Sequence, residues 1–174
     1  MQDFVLADGR HCLVRNMAEQ DLPRIMACVN SVAGERIYIA NEGITDPERF
    51  RMHIWDPIEA GNNIALIAEV GPQIVGNLNL QIGVPSKRSH TAYVFRIVLK
   101  GFRGMGIGTE MMGLAAEMAR ERGVERLHLS VFSSNTRAIG FYGRLGFETE
   151  GVLKKQFVID GKYVDEVHMA MWLD

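Results

Sequence analysis

The chain of 174 residues contains 47% hydrophobic and 23% charged residues, which is typical of a globular protein with a sizeable core. We expect residues 1–174 to form one domain. Its formal net charge of −2 argues against a nucleic-acid partner, and no apolar run is long enough to cross a membrane. The two cysteines, Cys12 and Cys28, lack metal-ligand spacing, and the first residues lack the apolar segment of a signal peptide. We therefore expect reduced thiols and a cytoplasmic location.

The first half of the chain predicts strands and helices joined by short loops. Asp21 is suited to cap a helix that has Pro23 in its first turn, and Gly34 ends this helix. Asp46-Pro47-Glu48 marks the beginning of a second helix. The remaining predicted segments are a first strand at 12–15, a loop at 35–45, and an antiparallel hairpin of strands at 64–70 and 73–82.

A strand, a glycine-rich turn and a helix follow one another in the middle of the chain. Residues 93–99 are rich in β-branched and aromatic residues, as strands are. The turn contains Gly104, Gly106 and Gly108, and apolar residues then recur at helical spacing. This order aims several backbone N–H groups and the positive end of the helix dipole at one point, which suits a phosphate or pyrophosphate. Arg103 can add a positive charge there.

The glycines by themselves leave a simpler interpretation open, in which they only make a tight turn. Two nucleotide-binding motifs fit worse. The spacing matches neither the P-loop pattern G-x-x-x-x-G-K-[ST] nor the dinucleotide pattern G-x-G-x-x-G. The strand that follows, 127–132, leads into Ser133-Ser134-Asn135 and not into the acidic residue that a ribose-binding unit requires.

Three segments taken together resemble the GNAT superfamily of N-acetyltransferases. Arg103-x-x-Gly106-x-Gly108 is similar to the family's acetyl-CoA pyrophosphate motif, [RQ]-x-x-G-x-[GA]. A strand at 126–132 follows, and then Asn135-x-x-Ala138-x-x-x-Tyr142-x-x-x-Gly146-Phe147 is similar to the family's second cofactor-contacting block. The resemblance covers about a third of the chain and implies an α/β GNAT fold, a mixed and mostly antiparallel twisted sheet flanked by helices.

The resemblance implies acetyl-CoA as the co-substrate and assigns residues to it. Tyr142 falls on the position of the family's general acid, which protonates the departing thiolate, whereas spacing alone would favour a packed core tyrosine there. The positions that match cofactor contacts, including the backbone N–H that binds the developing oxyanion, are Ile97, Val98, Arg103, Gly104, Met105, Gly106, Ile107, Gly108, Thr109, Asn135 and Tyr142.

The group that deprotonates the attacking amine stays open. Many family members carry a glutamate on the central strand, whereas residues 91–98 of this chain include no acidic residue. The candidates for this role are Glu69 on the preceding strand, Glu42 in the loop, His90 before the strand, or an ordered water. Glu69 and His90 are also interpretable as a strand-edge charge and a loop histidine. The other histidines show no paired ligand spacing, so we expect no metal.

The resemblance implies transfer of acetyl from acetyl-CoA to a primary amine by direct attack in a ternary complex. Residues 151–171, with a turn at Asp160-Gly161, are similar to the closing hairpin of members that acetylate small molecules, so we expect a small acceptor such as an amino acid. Tyr38 and Glu42 are candidates to contact it. The alternatives are a protein N-terminus or lysine as the acceptor, and a non-catalytic sensor that binds acyl-CoA. Homodimers are common in the family, but the sequence itself carries no signal for one.

Overall fold

The computed structural model describes residues 1–40, 43–83 and 86–173. Its strands are β1 (Gln2–Val5), β2 (His11–Asn16), β3 (Asn63–Val70), β4 (Gln73–Ile82), β5 (Thr91–Val98), β6 (Arg126–Phe132), β7 (Glu148–Ile159) and β8 (Lys162–Trp172). Its helices are α1 (Leu22–Ala33), α2 (Pro47–Glu59), α3 (Ile107–Glu121) and α4 (Thr136–Arg144). The strands form one sheet in the order β1-β2-β3-β4-β5-β6-β8-β7. Within these ranges, no helix combines the length and the apolar character that crossing a membrane requires.

The pairing of β5 with β6 sets the position of the site. These two strands are parallel, and the other neighbouring pairs are antiparallel, which confirms the predicted mixed and mostly antiparallel sheet. In the described chain, β5 pairs with β6 only from Thr91–Arg126 to Tyr93–His128. Beyond these pairs the strands diverge, so a gap opens between residues 94–98 and 129–132.

Apolar side chains cover both faces of the sheet. On one face, Ile107, Met111 and Ala115 of α3 lie in a buried cluster with side chains of β3, β4 and β5. On the other face, Ile25 and Val29 of α1 are buried, and apolar residues of α2 pack beside them. Each fully buried aliphatic side chain contributes about 1.5–3 kcal/mol. The two clusters hold β5 from both sides at the point where it leaves β6.

The predicted helices and strands are present, and the differences at the N-terminal end have local causes; part of the predicted loop at 35–45 lies outside the described residues. The prediction missed β1, a strand of four residues that pairs with β2 at the edge of the sheet. The predicted capping role of Asp21 is wrong, because its side chain makes no capping hydrogen bond to α1. Asp21 is fully buried and instead accepts hydrogen bonds from Arg15, Arg24 and the N–H of Ala18. Burial alone would raise the pKa of Asp21, but these partners lower it to about 2.

The two cysteines lie on opposite faces of the sheet. Cys12 belongs to the buried cluster around α3, and Cys28 belongs to the cluster around α1. Both are unpaired thiols. Burial raises the pKa of each to about 11, so both stay protonated and weakly reactive at neutral pH.

Candidate active site

The gap between β5 and β6 continues into a cleft of about 720 Å³. Its walls come from β5, β6, α4, the turn before α3 and the loop after α1. A cleft of this size is within the range that holds a ligand as large as a cofactor. The residues predicted from sequence that line it are Tyr38, Ile97, Val98, Arg103, Gly104, Gly106, Gly108, Thr109, Asn135 and Tyr142.

The glycine-rich turn brings the N-terminus of α3 to this cleft. Gly104 has φ 83° and Gly106 has φ 89°, a conformation that strains a residue with a Cβ. Gly106 is also the N-cap of α3, so the first N–H groups of the helix lie beside the turn. The side chains of Met105 and Ile107 pack into the core. Ile107 is 1% exposed and can therefore contact a ligand only through its backbone, whereas Met105 is partly exposed.

Asn135 and Tyr142 reach the cleft from the two ends of α4. Oδ1 of Asn135 accepts a hydrogen bond of 3.1 Å from the N–H of Ala138 and caps the helix. Tyr142 is 5% exposed, and its ring packs edge-on against Phe141 and Phe147 at centroid distances of 5.2 and 5.3 Å. Aromatic neighbours on both sides hold the phenol ring in one orientation.

The backbone of β5 supplies hydrogen-bond donors along the gap. On one side, Ile97 pairs with Asn77 and Val98 pairs with Gly76 of β4. In an antiparallel pair, successive N–H groups point alternately toward and away from the partner strand. Alternate N–H groups of residues 94–98 therefore point into the gap, where one of them can bind an oxygen that develops negative charge.

The side chain of Arg103 points away from the glycine turn, which differs from the expectation that it adds charge to an anion site. Its guanidinium donates two hydrogen bonds to Glu35, at 2.9 and 2.5 Å, and one to the carbonyl of Val98 at 2.8 Å. It also lies 4.4 Å from the ring centroid of Tyr38. The ion pair lowers the pKa of Glu35. The carboxylate of Glu35, just after α1, accepts both of these hydrogen bonds. Arg103 thus connects the loop after α1 to the turn.

Three other arginines line the cleft, and none of them was predicted from the sequence. Nη2 of Arg137 would lie 3.2 Å from a Cβ added to Gly104, so this guanidinium adjoins the turn. Arg96 lies over the ring of Phe141 at 4.2 Å, and its Nη1 would overlap a Cβ added to Gly108. Nε of Arg96 is buried without a hydrogen-bond partner among the described residues. With Arg144, these side chains give the cofactor side of the cleft a positive character.

The comparison with protein families decides the identity of this fold and cleft. The acetyltransferase (GNAT) family matches residues 9–147. The chain belongs to this family. The match confirms the family that the sequence resemblance predicted, and it contains the glycine turn and the diverging strands β5 and β6.

Similar proteins cover most of the chain. The L-amino acid N-acetyltransferase AaaT of Escherichia coli is 34% identical over 106 residues, which span 60% of this chain and 65% of that enzyme, a little under two thirds of its length. The L-methionine sulfoximine/L-methionine sulfone acetyltransferase of Pseudomonas aeruginosa is 25% identical over 166 residues, covering 92% of this chain and 94% of that enzyme. The crystal structure of ribosomal-protein-alanine N-acetyltransferase from Brucella melitensis has a TM-score of 0.83 at 28% identity and covers 92% of this chain and 99% of that chain.

Two residues that we considered as the base of this acetyltransferase lie outside the cleft. Glu69 accepts hydrogen bonds of 2.7 Å from Arg15 and 2.8 Å from Arg24, so its carboxylate is held at the end of β3. His90 precedes β5 at the end where β5 and β6 are still paired, and its carbonyl accepts the N–H groups of Glu125 and Arg126. The structure therefore does not bring either side chain to Tyr142. Glu42, the third residue considered, lies outside the described residues.

Glu166 of β8 is the only acidic residue among the described residues that line the cleft. The sequence predicts the closing hairpin, but none of its motifs singles out Glu166. The alternation of apolar residues at Val167 and Met169, which face the core, is the signal that places Glu166 on the opposite face. Beside it, the hydroxyls of Tyr93 and Ser130 lie 3.1 Å apart at the point where β5 and β6 diverge.

Proposed function

We propose that this chain transfers the acetyl group of acetyl-CoA to a primary amine of a small molecule such as an amino acid, by direct attack in a ternary complex. The observation that carries the proposal is the single cleft that joins the glycine turn, the open edge of β5 and the hydroxyl-bearing ring of Tyr142. The L-amino acid N-acetyltransferase of Escherichia coli and the methionine sulfoximine acetyltransferase of Pseudomonas aeruginosa support a small acceptor.

The residues present fit acetyl-CoA. Positive φ at Gly104 and Gly106 leaves the backbone uncovered where phosphates approach the N-terminus of α3. The guanidinium of Arg137, beside Gly104, supplies a positive charge for them. The thioester of acetyl-CoA supplies an activated carbonyl and a thiol leaving group, so the protein needs only to orient it and to manage protons.

The chain's own groups have three tasks in the transfer. The gap between β5 and β6 orients the thioester so that an amine reaches it from the side of the loop after α1. The N–H of Leu99 donates to Val75 of β4, so by alternation the N–H of Val98 points into the gap and donates a hydrogen bond to the carbonyl oxygen as negative charge develops there. The phenol of Tyr142 donates its proton to the departing sulfur.

The acceptor half of the cleft suits an amine with an apolar body. Phe95, Phe132 and Phe157 line it, together with Tyr38 from the loop after α1. Aromatic walls favour apolar groups, and the carboxylate of Glu166 favours an ammonium group. This combination supports a small acceptor that carries an ammonium group next to an apolar body, as an amino acid with an apolar side chain does.

Release of CoA thiol tests this proposal, with a panel of amino acids, polyamines and short peptides as acceptors. We expect turnover of one amine class, and a decrease in kcat of about 100-fold or more for Tyr142→Phe because the acid is lost. Tyr163→Phe is the matched control, since Tyr163 is 68% exposed and does not line the cleft in the described structure. Equal kcat for Tyr142→Phe and the wild type would contradict the role of Tyr142.

Two alternatives give different results in the same assay. Acetylation of peptides alone would favour a protein N-terminus or lysine as the acceptor, a function consistent with the ribosomal-protein-alanine N-acetyltransferase relative. Binding of acetyl-CoA without acetylation of any amine would favour a sensor. A failure to bind acetyl-CoA would mean that the glycine turn has been misinterpreted.

A further inference from the structure

The carboxylate of Glu166 and the imidazole of His168 share one face of β8. The register pairs Glu166 with Phe132 and His168 with Ser130 of the neighbouring strand β6. Because side chains alternate along a strand, these four residues point to the same side of the sheet. The intervening Val167 is buried in the core around α3 on the opposite side, in the same cluster as Tyr142.

Glu166 and His168 contact one another. Nε2 of His168 lies 3.3 Å from Oε2 of Glu166. This nitrogen is buried and has no well-formed hydrogen bond to any described residue. The side chain of Glu166 is 14% exposed, so its carboxylate is largely removed from bulk water while it still lines the cleft.

No arginine or lysine neutralises Glu166 in the described part of the chain. The nearby carboxylates differ in this respect, since Asp165 pairs with Lys154 and Glu150 pairs with Arg126. Glu35 and Glu69 are also held by arginines. Around Glu166 the cleft is instead aromatic, with Phe132 and Phe157 in edge contact at 4.9 Å. A carboxylate in such surroundings attracts a cationic ligand strongly.

We propose that Glu166 binds the ammonium group of the acceptor and takes its proton, and that His168 orients the carboxylate. This inference rests on the proposed acetyl transfer and identifies the base that the central strand lacks. An alkylammonium with a pKa of about 10 is almost entirely protonated at neutral pH and has no electron pair for attack. A carboxylate in contact with it can accept one proton and leave the neutral nucleophile in place.

Protons and bonds balance in this transfer. One ammonium proton passes to Glu166 and then to solvent, and the nitrogen lone pair forms the C–N bond to the acetyl carbonyl. The C–S bond breaks, the electron pair leaves with sulfur, and Tyr142 protonates the thiolate. The nitrogen loses its second proton to solvent, and the tyrosinate takes up one proton from solvent and becomes neutral again. The products are the amide, CoA thiol and one proton.

The test compares Glu166→Gln with the wild type on two acceptors that differ in basicity, an alkylamine and the carboxamide of an amino acid. Their amines have pKa values of about 10 and about 8, respectively. If Glu166 is the base, we expect kcat for the alkylamine to fall by about 100-fold or more in Glu166→Gln. The decrease for the carboxamide is expected to be up to about 100-fold smaller, since more of that amine is already neutral.

Three outcomes would overturn the inference. They are an unchanged kcat, a decrease of equal size for both amines, and a rise in the KM of the amine with unchanged kcat. The affinity for acetyl-CoA and the melting temperature of the variant establish that it is folded, and Glu166→Asp, which retains a carboxylate, should recover part of the rate. Glu117→Gln is the control because Glu117 is exposed on α3. Absence of turnover by the wild type with any amine would count against the proposed function itself.

The role of His168 is tested by a double-mutant cycle. If His168 acts through Glu166, His168→Gln lowers kcat, and adding it to Glu166→Gln lowers kcat no further. A purely structural role for His168 would instead add its own decrease to that of Glu166→Gln. Additive effects would therefore refute the positioning role.

Discussion

Arg103 and Arg137 differ in what their guanidinium groups contact, although both lie beside the same turn. Arg103 is part of the motif, yet its charge is neutralised by Glu35 and its side chain connects the loop after α1 to β5. Arg137 is outside the motif, in the first turn of α4, and its Nη2 adjoins Gly104. At the scale of single residues, we therefore propose that α4 supplies the charge for the cofactor phosphates, whereas the motif arginine connects the loop after α1 to β5.

This difference predicts a specific effect of Arg137→Gln. We expect the KM for acetyl-CoA to rise by about 10-fold, because one charge-assisted hydrogen bond to a phosphate is worth roughly 1.5–3 kcal/mol and part of that is screened by solvent. The KM of the amine is expected to stay unchanged. Steady-state kinetics with each substrate varied in turn measures both constants.

Arg49→Gln is the control for this prediction, since Arg49 is exposed on α2 and does not line the cleft in the described structure. An unchanged KM for acetyl-CoA in Arg137→Gln would show that the phosphates bind elsewhere. A larger rise at low ionic strength than at high ionic strength would agree with a charge contact.

At the scale of elements, the start of α1 is attached to the sheet through a buried charge. Asp21 precedes the helix, Arg15 comes from β2, and Arg24 is in the first turn of α1. Arg15 also binds Glu69 of β3, so one network joins α1 to two strands. A buried carboxylate is stable only with such partners, which is why Asp21 is not available to cap the helix.

Asp21→Asn should destabilise the protein by about 2 kcal/mol at neutral pH, since hydrogen bonds between charged groups are lost and Arg24 remains partly solvated. The pKa of Asp21 is lowered to about 2 by its arginines, so its stabilising contribution is complete above the ordinary value near 4. That contribution is lost as the pH falls through about 4 toward 2. The difference between wild type and variant is therefore expected to shrink at acid pH.

Urea unfolding at about pH 6 and about pH 3 measures this difference in the free energy of unfolding. Asp56→Asn serves as the control, because Asp56 is 45% exposed and pairs with Arg51 at the surface. A difference between wild type and Asp21→Asn that grows at acid pH would contradict a lowered pKa for Asp21 in the folded protein.

The secondary-structure elements and the cofactor side of the site were more predictable from the sequence than the acceptor side. Local signals fixed β6 at 126–132 and the hairpin turn at Asp160-Gly161, since periodicity and turn glycines act over a few residues. Glu166 reaches the cleft, with His168 beside it, only because β8 pairs with β6, a contact between distant parts of the chain. Single-sequence periodicity carries no information about which strands become neighbours, so these residues were missed.

At the scale of the whole molecule, the cleft exists because two strands of a continuous sheet diverge while helices hold both faces. β5 is bound to β4 along its length and β6 is bound to β8, so the sheet opens between them without losing its other pairs. The buried clusters around α3 and α1 fix the two sides of the opening. Tyr142 lies in the cluster on the α3 face, and Glu166 lies on the opposite face.

The ratio of acetylated amine to CoA thiol formed in the same reaction tests most directly whether acetyl transfer takes place in this opening. Mass spectrometry quantifies the amide, and a thiol reagent quantifies CoA. We predict one amide for each thiol, because water does not compete with an amine that is bound and deprotonated in the cleft. Thiol released without a matching amide, or no thiol released with any amine, would contradict acetyl transfer to an amine in this cleft.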